Sequence, residues 1–233
     1  MAIKLLSPHE SVKKQGLKGL VFGPSGAGKT VLCTSADEPA LIISAEAGLL
    51  SIQDTDAQVQ VAEVKTIEDV HEVYDHLLQG TDFKWVFLDS LSEIAEVVLA
   101  NHKAGSKDPR QAYGALIDEM GALVRAFRDL PGYNVWMTAK MEHVKDDLSG
   151  AMLYSPSMPG SKLAQQLPYL FDFVFAYRVE KDPEGNTVRY LQTARDLQYE
   201  AKDRSGKLDA FELPNLAAIA AKINNSSTIK EVA

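Results

Sequence analysis

The residues that could do chemistry begin with an eight-residue stretch, GPSGAGKT, at positions 23–30. It fits the pattern G-x-x-x-x-G-K-[ST] at every fixed position. Its glycines can adopt positive φ and bring backbone N–H groups close to an anion. In such a loop, Lys29 reaches the β- and γ-phosphates of a nucleoside triphosphate, and the Thr30 hydroxyl ligates Mg²⁺. The pattern predicts ATP and Mg²⁺ as cofactors, bound by Gly23, Pro24, Ser25, Gly26, Ala27, Gly28, Lys29 and Thr30.

Two acids follow apolar runs and complete this predicted site. Asp89 ends KWVFLD, the arrangement of a Walker B acid, and its carboxylate can hold Mg²⁺ directly or through water opposite Thr30. Glu46 follows PALIIS, where a carboxylate beside the phosphates can orient an attacking water. Alternatively, Asp89 caps the next helix in competition with Ser90, and Glu46 is a surface acid in a turn. We interpret Asp89 as the metal ligand and Glu46 as the general base, with Glu93 next in line.

Strand and helix signals alternate along the chain, which predicts an α/β fold with a mostly parallel sheet and helices on both faces. Ligands of such sheets bind beyond the carboxyl ends of the strands, where Glu46, Asp89 and 138–140 fall. A late antiparallel hairpin is predicted where 171–180 and 187–194 flank the turn sequence DPEGN. The other expected strands are 17–22, 39–44, 59–64, 84–89 and 134–139, and the expected helices are 29–36 (KTVLCTSA), 66–79, 90–102, 110–129 and 213–223.

Composition sets further bounds on the protein. With 233 residues, 45% of them hydrophobic and 24% charged, the chain suits one soluble domain over 1–224 with a polar tail over 225–233. The sequence has no 18-residue apolar run and no signal-peptide pattern, and its single cysteine, Cys33, excludes an internal disulfide. We therefore expect a cytoplasmic protein without a membrane partner. A net charge of −8 argues against a generally basic coat for nucleic acid, although local basic loops could still converge in an oligomer.

Two segments, about 103–109 and 141–161, have no regular pattern and are predicted to be loops. A loop of about twenty residues inside a compact domain is uncommon and often functional.

The motifs together resemble the core of RecA-like ATPases. In that family the catalytic glutamate follows the strand after the phosphate loop, as Glu46 does here, whereas in AAA+ proteins it follows the Walker B aspartate. Here Ser90 follows Asp89. The stretch GSKLAQQLPYLFDFVFAYRVE and the strand YLQTARD resemble the late hairpin of the family. From about 17 to 224, the chain is similar to short bacteriophage RecA-like proteins of single-strand annealing and recombination.

The resemblance implies further residues of the ATP site. The γ-phosphate sensor of RecA, usually a glutamine, corresponds to the stretch Thr138–Lys140, where Lys140 is the candidate. RecA proteins also insert a basic residue of the late hairpin into the ATP site of a neighbouring subunit, and Arg195 matches that position best. Lys202 and Arg204 match it less well and are interpreted as solvated surface charges.

The resemblance also implies a DNA-stimulated ATPase that acts on single-stranded DNA in phage-type recombination or annealing, as a homo-oligomeric ring or filament. The two irregular segments fall where RecA-like proteins place their DNA-binding loops. Positions 101–110 carry a local charge of about +2, whereas the charges of 141–161 do not favour DNA. Tyr154 could stack on bases or pack within its loop. The candidate DNA-binding residues are Lys103, Lys107, Arg110, Lys145 and Tyr154.

Other functions are compatible with a phosphate loop. A guanylate-kinase-like phosphotransferase would need an arginine-rich lid, and 141–161 contains no arginine. An ABC-type ATPase would need LSGGQ, which DLSGAM matches at three letters only. A nucleotide-gated adaptor of a replication or packaging machine remains open.

Overall fold

A ten-stranded sheet forms the centre of the protein in the computed structural model, which describes residues 14–46, 48–145 and 150–225 together with Leu5, Ser7 and Glu10. The strands are β1 (Lys18–Phe22), β2 (Ala40–Ser44), β3 (Val59–Glu63), β4 (Trp85–Asp89), β5 (Asn134–Lys145), β6 (Met152–Ser157), β7 (Phe173–Lys181), β8 (Thr187–Gln192), β9 (Lys202–Asp203) and β10 (Phe211–Glu212).

Parallel pairing dominates the sheet. Its main path runs β10-β8-β7-β1-β5-β4-β2-β3, with β6 paired to β5 and β9 paired to β7. Every neighbouring pair from β7 to β3 is parallel. The hairpin β7–β8 and the strands β6, β9 and β10 are antiparallel to their partners. The predicted fold class, a mostly parallel α/β sheet with a late antiparallel hairpin, is confirmed.

Helices cover the sheet and begin at residues whose side chains cap them. Thr66 caps its helix through a capping box with Asp69. The Ser90 hydroxyl accepts a bond from the Glu93 N–H at 3.4 Å and caps the next helix. The helices are α1 (Lys29–Cys33), α2 (Ile67–Leu78), α3 (Leu91–Gly105), α4 (Pro109–Arg128), α5 (Ser161–Gln166) and α6 (Leu216–Asn224), with 3₁₀ turns at Leu49–Ile52 and Leu167–Leu170.

Hydrophobic packing lies on both faces of the sheet. One core cluster joins the sheet to α2, α3, α4 and α5, and the other joins it to α1 and α6. Alternate residues of β1 serve the two clusters, with Leu20 and Phe22 in the first and Val21 in the second, so that this central strand is buried on both sides. At Gly19, a Cβ would lie 2.3 Å from the Trp136 ring, so only glycine allows this tryptophan to pack across β1.

The structure corrects the prediction of two long loops. In the first segment, α3 continues to Gly105 and α4 begins at Pro109, with Asp108 as its cap, so only 106–108 lie between helices. In the second, β5 continues to Lys145 and pairs with β6 as an antiparallel hairpin, while 146–149 lie outside the described residues. The sequence pattern did not indicate this hairpin, because polar side chains occupy both of its faces and remove the apolar–polar alternation of a half-buried strand.

Two smaller differences concern the ends of elements. The helix after the phosphate loop stops at Cys33, earlier than KTVLCTSA indicates. The predicted polar tail lies outside the described residues apart from Asn225. In the described part of the chain, no helix combines the length and apolarity needed to cross a bilayer.

Candidate functional site

The phosphate loop, residues 23–30, connects β1 to α1 at the carboxyl end of the parallel strands. Gly26 and Gly28 have φ values of 72° and 110°, a region that L side chains rarely adopt. A Cβ on Gly28 would lie 3.0 Å from the Tyr177 hydroxyl oxygen, and a Cβ on Gly23 would lie 2.9 Å from the Tyr177 Cβ. Backbone conformation and close approach to β7 therefore both require glycine in this loop, and the loop fits an anion cradle.

Lys29 lies across the phosphate loop. Its Nζ donates to the carbonyl oxygens of Gly23 and Pro24, each at 3.0 Å. Burial lowers the pKa of Lys29, and the nearby negative charges of Glu46 and Asp89 partly oppose this shift. The ammonium group is thus held inside the loop that would contain the phosphates.

Asp89 is the centre of a buried hydroxyl–carboxylate cluster. The Thr30 hydroxyl donates to Asp89 Oδ2 at 2.6 Å, and the Thr138 hydroxyl donates to Asp89 Oδ1 at 2.5 Å. Asp89 is 2% exposed, and Ser90 rather than Asp89 caps α3. The structure thus brings Thr30 and Asp89 together at the ends of their elements, as the sequence predicts.

These oxygen atoms fit Mg²⁺, which prefers hard oxygen ligands and binds through one or two carboxylates plus substrate phosphates. Within the described ranges, no group of three or more His, Cys, Asp and Glu side chains could hold a metal. The ion would therefore be held by Thr30, Asp89 and the oxygens of a nucleotide.

Glu46 lies next to this cluster, just after β2. The Ser90 hydroxyl donates to Glu46 Oε1, and the Ala45 N–H donates to the Asp89 carbonyl at 2.9 Å. Because Ser44 at the end of β2 pairs with Asp89 at the end of β4, Glu46 follows a strand that is adjacent to that of Asp89. A carboxylate fixed in this way, beside the phosphate loop, can accept a proton from a water molecule.

Lys140 follows the buried part of β5 and is tied to a different acid. Its Nζ lies 2.6 Å from Glu93 Oε2, and the hydrogen bond with Glu93 raises the pKa of Lys140. Its backbone N–H donates to Ser92 Oγ at 2.9 Å. The predicted sensor and the second candidate base are therefore paired with each other at the edge of the site.

Arg195 lies in the segment after β8. Its side chain is about half exposed, and its Nε lies 3.6 Å from Glu200 Oε2. Lys202 donates to the Pro168 carbonyl, and Arg204 pairs with Asp172, in keeping with structural or surface roles for these two charges.

A different arginine, Arg189 of β8, contacts the phosphate loop of its own chain. Its Nε donates to the Ala27 carbonyl at 3.2 Å. Burial raises the pKa of the neighbouring Tyr177, and the positive charge of Arg189 partly offsets this. Sequence reasoning missed Arg189, although period-two alternation in TVRYLQ places it on the same face as the buried Leu191.

Three of the candidate DNA-binding residues lie around the junction of α3 and α4. Lys103, Lys107 and Arg110 are all exposed. Lys103 Nζ lies 5.3 Å from the centre of the Tyr113 ring, and the Arg110 N–H donates to Asp108 Oδ1 at 2.9 Å. Lys145 is exposed at the end of β5.

Tyr154 belongs to a row of planar side chains that crosses the sheet from β10 to β5. Its ring stacks on His143 of β5, with centroids 4.3 Å apart, and on Tyr199, with centroids 4.6 Å apart. The Arg178 guanidinium lies 3.7 Å from the Tyr199 ring centre and 5.7 Å from that of Tyr190. The Tyr190 ring meets that of Phe211 edge-on at 5.2 Å. We call this set the planar row: Phe211, Tyr190, Arg178, Tyr199, Tyr154 and His143.

The planar row covers both ring faces of Tyr154 and leaves His143 exposed at one end. β6 pairs with β5 on one side of Tyr154 and with Tyr199 on the other, so the rings of His143 and Tyr199 lie on opposite sides of the tyrosine. Burial and a hydrogen bond with Glu180 raise the pKa of Tyr190 to about 12. Tyr190 therefore stays neutral at ordinary pH.

Comparison with known proteins gives a match to a family model described as an AAA domain, over residues 15–205. The matched range runs from before β1 to the end of β9 and contains the phosphate loop, Glu46, Asp89 and the hairpin β7–β8. No curated protein gives a significant match.

Proposed function

The chain belongs to this AAA domain family of P-loop ATPases, and on that premise we propose that it binds ATP with Mg²⁺ and hydrolyses it. The observation that carries the proposal is the cluster at the strand ends, in which Thr30, Asp89 and Glu46 lie beside the phosphate loop. A phosphate cradle, a metal-binding pair and an adjacent carboxylate are the parts that phosphoryl transfer to water needs.

In this proposal each residue has a separate task. The N–H groups of 23–30 and the ammonium of Lys29 bind the phosphates, and Thr30 and Asp89 hold Mg²⁺, which neutralises charge on the phosphates when bound. Glu46 accepts the proton of the attacking water. Thr138 and Ser90 orient Asp89 and Glu46 through the hydrogen bonds described above. Lys140 keeps its proposed role as the sensor, which requires it to leave Glu93 for the γ-phosphate.

We further propose the RecA-like role in recombination or strand annealing, with single-stranded DNA as the partner. Its support at the ATP site is the position of Glu46 after β2 together with Ser90, rather than an acid, after Asp89.

Exposed residues of the β5–β6 hairpin and of the α3–α4 junction support the proposed DNA interface. His143 and Lys145, two residues apart on β5, lie on one face of the strand. A base would stack on the exposed imidazole of His143, whose other face stacks on Tyr154. Lys145 would contact a phosphate. Lys103, Lys107 and Arg110 would add phosphate contacts from the helix junction.

In the oligomer that we propose, Arg195 would act on the ATP site of a neighbouring subunit. Its exposure and its place after the late hairpin support this role, because the long pairing with Glu200 can be exchanged for a phosphate. An arginine supplied in this way typically accelerates phosphoryl transfer by ~10³–10⁵-fold.

The decisive experiment measures ATP turnover by the wild type and by Lys29→Ala, each with and without single-stranded DNA. We expect turnover in the wild type, stimulation by DNA, and no turnover above background in Lys29→Ala. Equal turnover by the two proteins would refute the ATPase. Turnover without any DNA binding at low salt would leave the ATPase standing, remove the recombination role, and favour the adaptor.

A further inference from the structure

The contact between Arg189 and the phosphate loop has a defined geometry. Arg189 pairs with Val179 and Leu191 pairs with Tyr177, so all four side chains lie on one face of the hairpin β7–β8. Tyr177 is 4% exposed and packs under Gly23 and Gly28, while Arg189 reaches the carbonyl of Ala27 between Gly26 and Gly28. The hairpin therefore meets the loop at its first residue, Gly23, and again at Ala27 and Gly28.

The bond to Ala27 uses one of the five N–H donors of the guanidinium group. Ala27 is the single hydrogen-bond partner of Arg189 in the described part of the chain, where no carboxylate pairs with it. The arginine is exposed, so the terminal NH₂ groups can turn toward an anion in the loop without any loss of core packing. Water solvates this exposed guanidinium when no anion is bound, and its remaining N–H donors stay available to an anion.

We propose that Arg189 is a phosphate-binding residue of its own chain, which donates to the phosphate oxygens of the bound nucleotide. This inference rests on the proposed ATP site and adds a second cation to Lys29. Planar guanidinium groups bind phosphate through two parallel N–H···O bonds, which a lysine cannot reproduce. Arg189 would thus act within one subunit, whereas the proposed role of Arg195 requires a neighbour.

The test measures equilibrium binding of ATP to dilute protein by calorimetry, so it needs no turnover and no DNA. Three substitutions separate charge from loop support: Arg189→Ala removes both, Arg189→Lys keeps the charge, and Arg189→Gln keeps a neutral donor for the Ala27 carbonyl. Lys181→Ala is the matched control, because Lys181 is a cation on the same hairpin that donates to Thr187 Oγ1 instead.

We expect Arg189→Ala and Arg189→Gln to weaken ATP binding at least about tenfold, as a lost charged hydrogen bond does. Arg189→Lys should recover part of the affinity, and Lys181→Ala should bind as the wild type does. If Arg189→Gln binds like the wild type, Arg189 supports only the shape of the loop and the proposal is overturned. Unchanged binding by Arg189→Ala would also overturn it. If the wild type itself binds no ATP, the proposed function fails before this inference is reached.

A mixing experiment separates action within a subunit from action across an interface. Oligomers that combine Arg189→Ala with Glu46→Gln should not regain turnover, because no single site would contain both side chains. Regained turnover would place Arg189 at the site of a neighbour and contradict the proposal.

Discussion

At the scale of single residues, the site depends on hydroxyl groups that hold carboxylates in place. Asp89 has a threonine on each oxygen, and Glu46 has Ser90 on one oxygen. Each hydroxyl donates its one proton to a carboxylate oxygen, so both acids are fixed in orientation as hydrogen-bond acceptors. Glu93, by contrast, is paired with the Lys140 ammonium. The geometry therefore favours Glu46 over Glu93 as the base.

We predict that Glu46→Gln retains nucleotide affinity and loses hydrolysis by ~10²–10⁴-fold, the usual contribution of a general base. Glutamine keeps the size of the side chain and can still accept the bond from Ser90, so the loop should not move. Single-turnover hydrolysis and ATP binding, measured on the same preparation, check the two halves of this statement. Glu93→Gln is the comparison: a larger loss in that variant than in Glu46→Gln would assign the base to Glu93.

At the scale of elements, apolar runs identified the parts of the sheet that are buried on both faces. WVFLD and NVWMTA became β4 and the first half of β5, and the candidate residues Asp89 and Lys140 lie where these apolar runs end. The half of β5 beyond Ala139 could not be recognised, because it leaves the core and pairs only with β6.

Contacts between distant segments could not be predicted for a different reason. Ser90 and Glu46 are 44 residues apart, and Arg189 and Ala27 are 162 apart. Such pairs depend on which strands become neighbours, and local patterns do not specify that order. Motifs with fixed spacing therefore revealed the phosphate loop, while the residues that support it emerged only from the fold.

A buried lysine in β1 connects the sheet to the end of α4. Lys18 is 3% exposed, and its Nζ donates to the carbonyls of Leu130 at 2.8 Å and Tyr133 at 2.7 Å. Burial lowers the pKa of Lys18 from 10.5 to about 8, against the opposing effect of Asp129 and Asp172. The unfolded chain therefore binds this proton more tightly than the folded chain does.

It follows that the penalty of burying charged Lys18 is present below about pH 8 and disappears as the pH rises toward 10.5. We predict that the free energy of unfolding of the wild type, minus that of Lys18→Met, increases by ~2 kcal/mol between pH 7 and pH 10. Urea denaturation of both proteins at the two pH values measures the difference, and titrations shared by the two proteins cancel. A difference that stays constant would show that Lys18 keeps an ordinary pKa when folded, and a difference that falls would show that its pKa is raised; either result contradicts the prediction.

At the scale of the whole molecule, the hairpin β7–β8 is shared by two surfaces. Arg189 on one face contacts the phosphate loop, while Arg178 on the other face is part of the planar row. If single-stranded DNA binds at the His143 end of that row, the DNA site and the nucleotide site would both be linked to side chains of β7–β8. This is the physical route by which DNA could change turnover in the function that we propose.

We predict that DNA-stimulated turnover falls to the basal rate in Arg195→Ala and returns in part when this variant is mixed with Glu46→Gln. In a mixed oligomer, an intact Glu46 in one subunit can meet an intact Arg195 from the next. Steady-state turnover over a range of mixing ratios measures the recovery, and its absence at every ratio would exclude Arg195 as a residue acting between subunits.

DNA binding should weaken only modestly with salt, because few cations are available to contact phosphates.

The packing of Trp136 across Gly19 also gives the protein a built-in optical probe. Trp136 and Trp85 are the two tryptophans of the chain, both are buried, and neither indole N–H has a hydrogen-bond partner among the described residues. Indoles buried among apolar groups fluoresce at shorter wavelengths than indoles exposed to water. Trp136 touches Gly19 of β1. Its ring stacks on Phe173 of β7, with centroids 6.1 Å apart, and packs at a tilt against Phe175, with centroids 5.3 Å apart. Its fluorescence should therefore report strain between the nucleotide loop and the hairpin without any added dye.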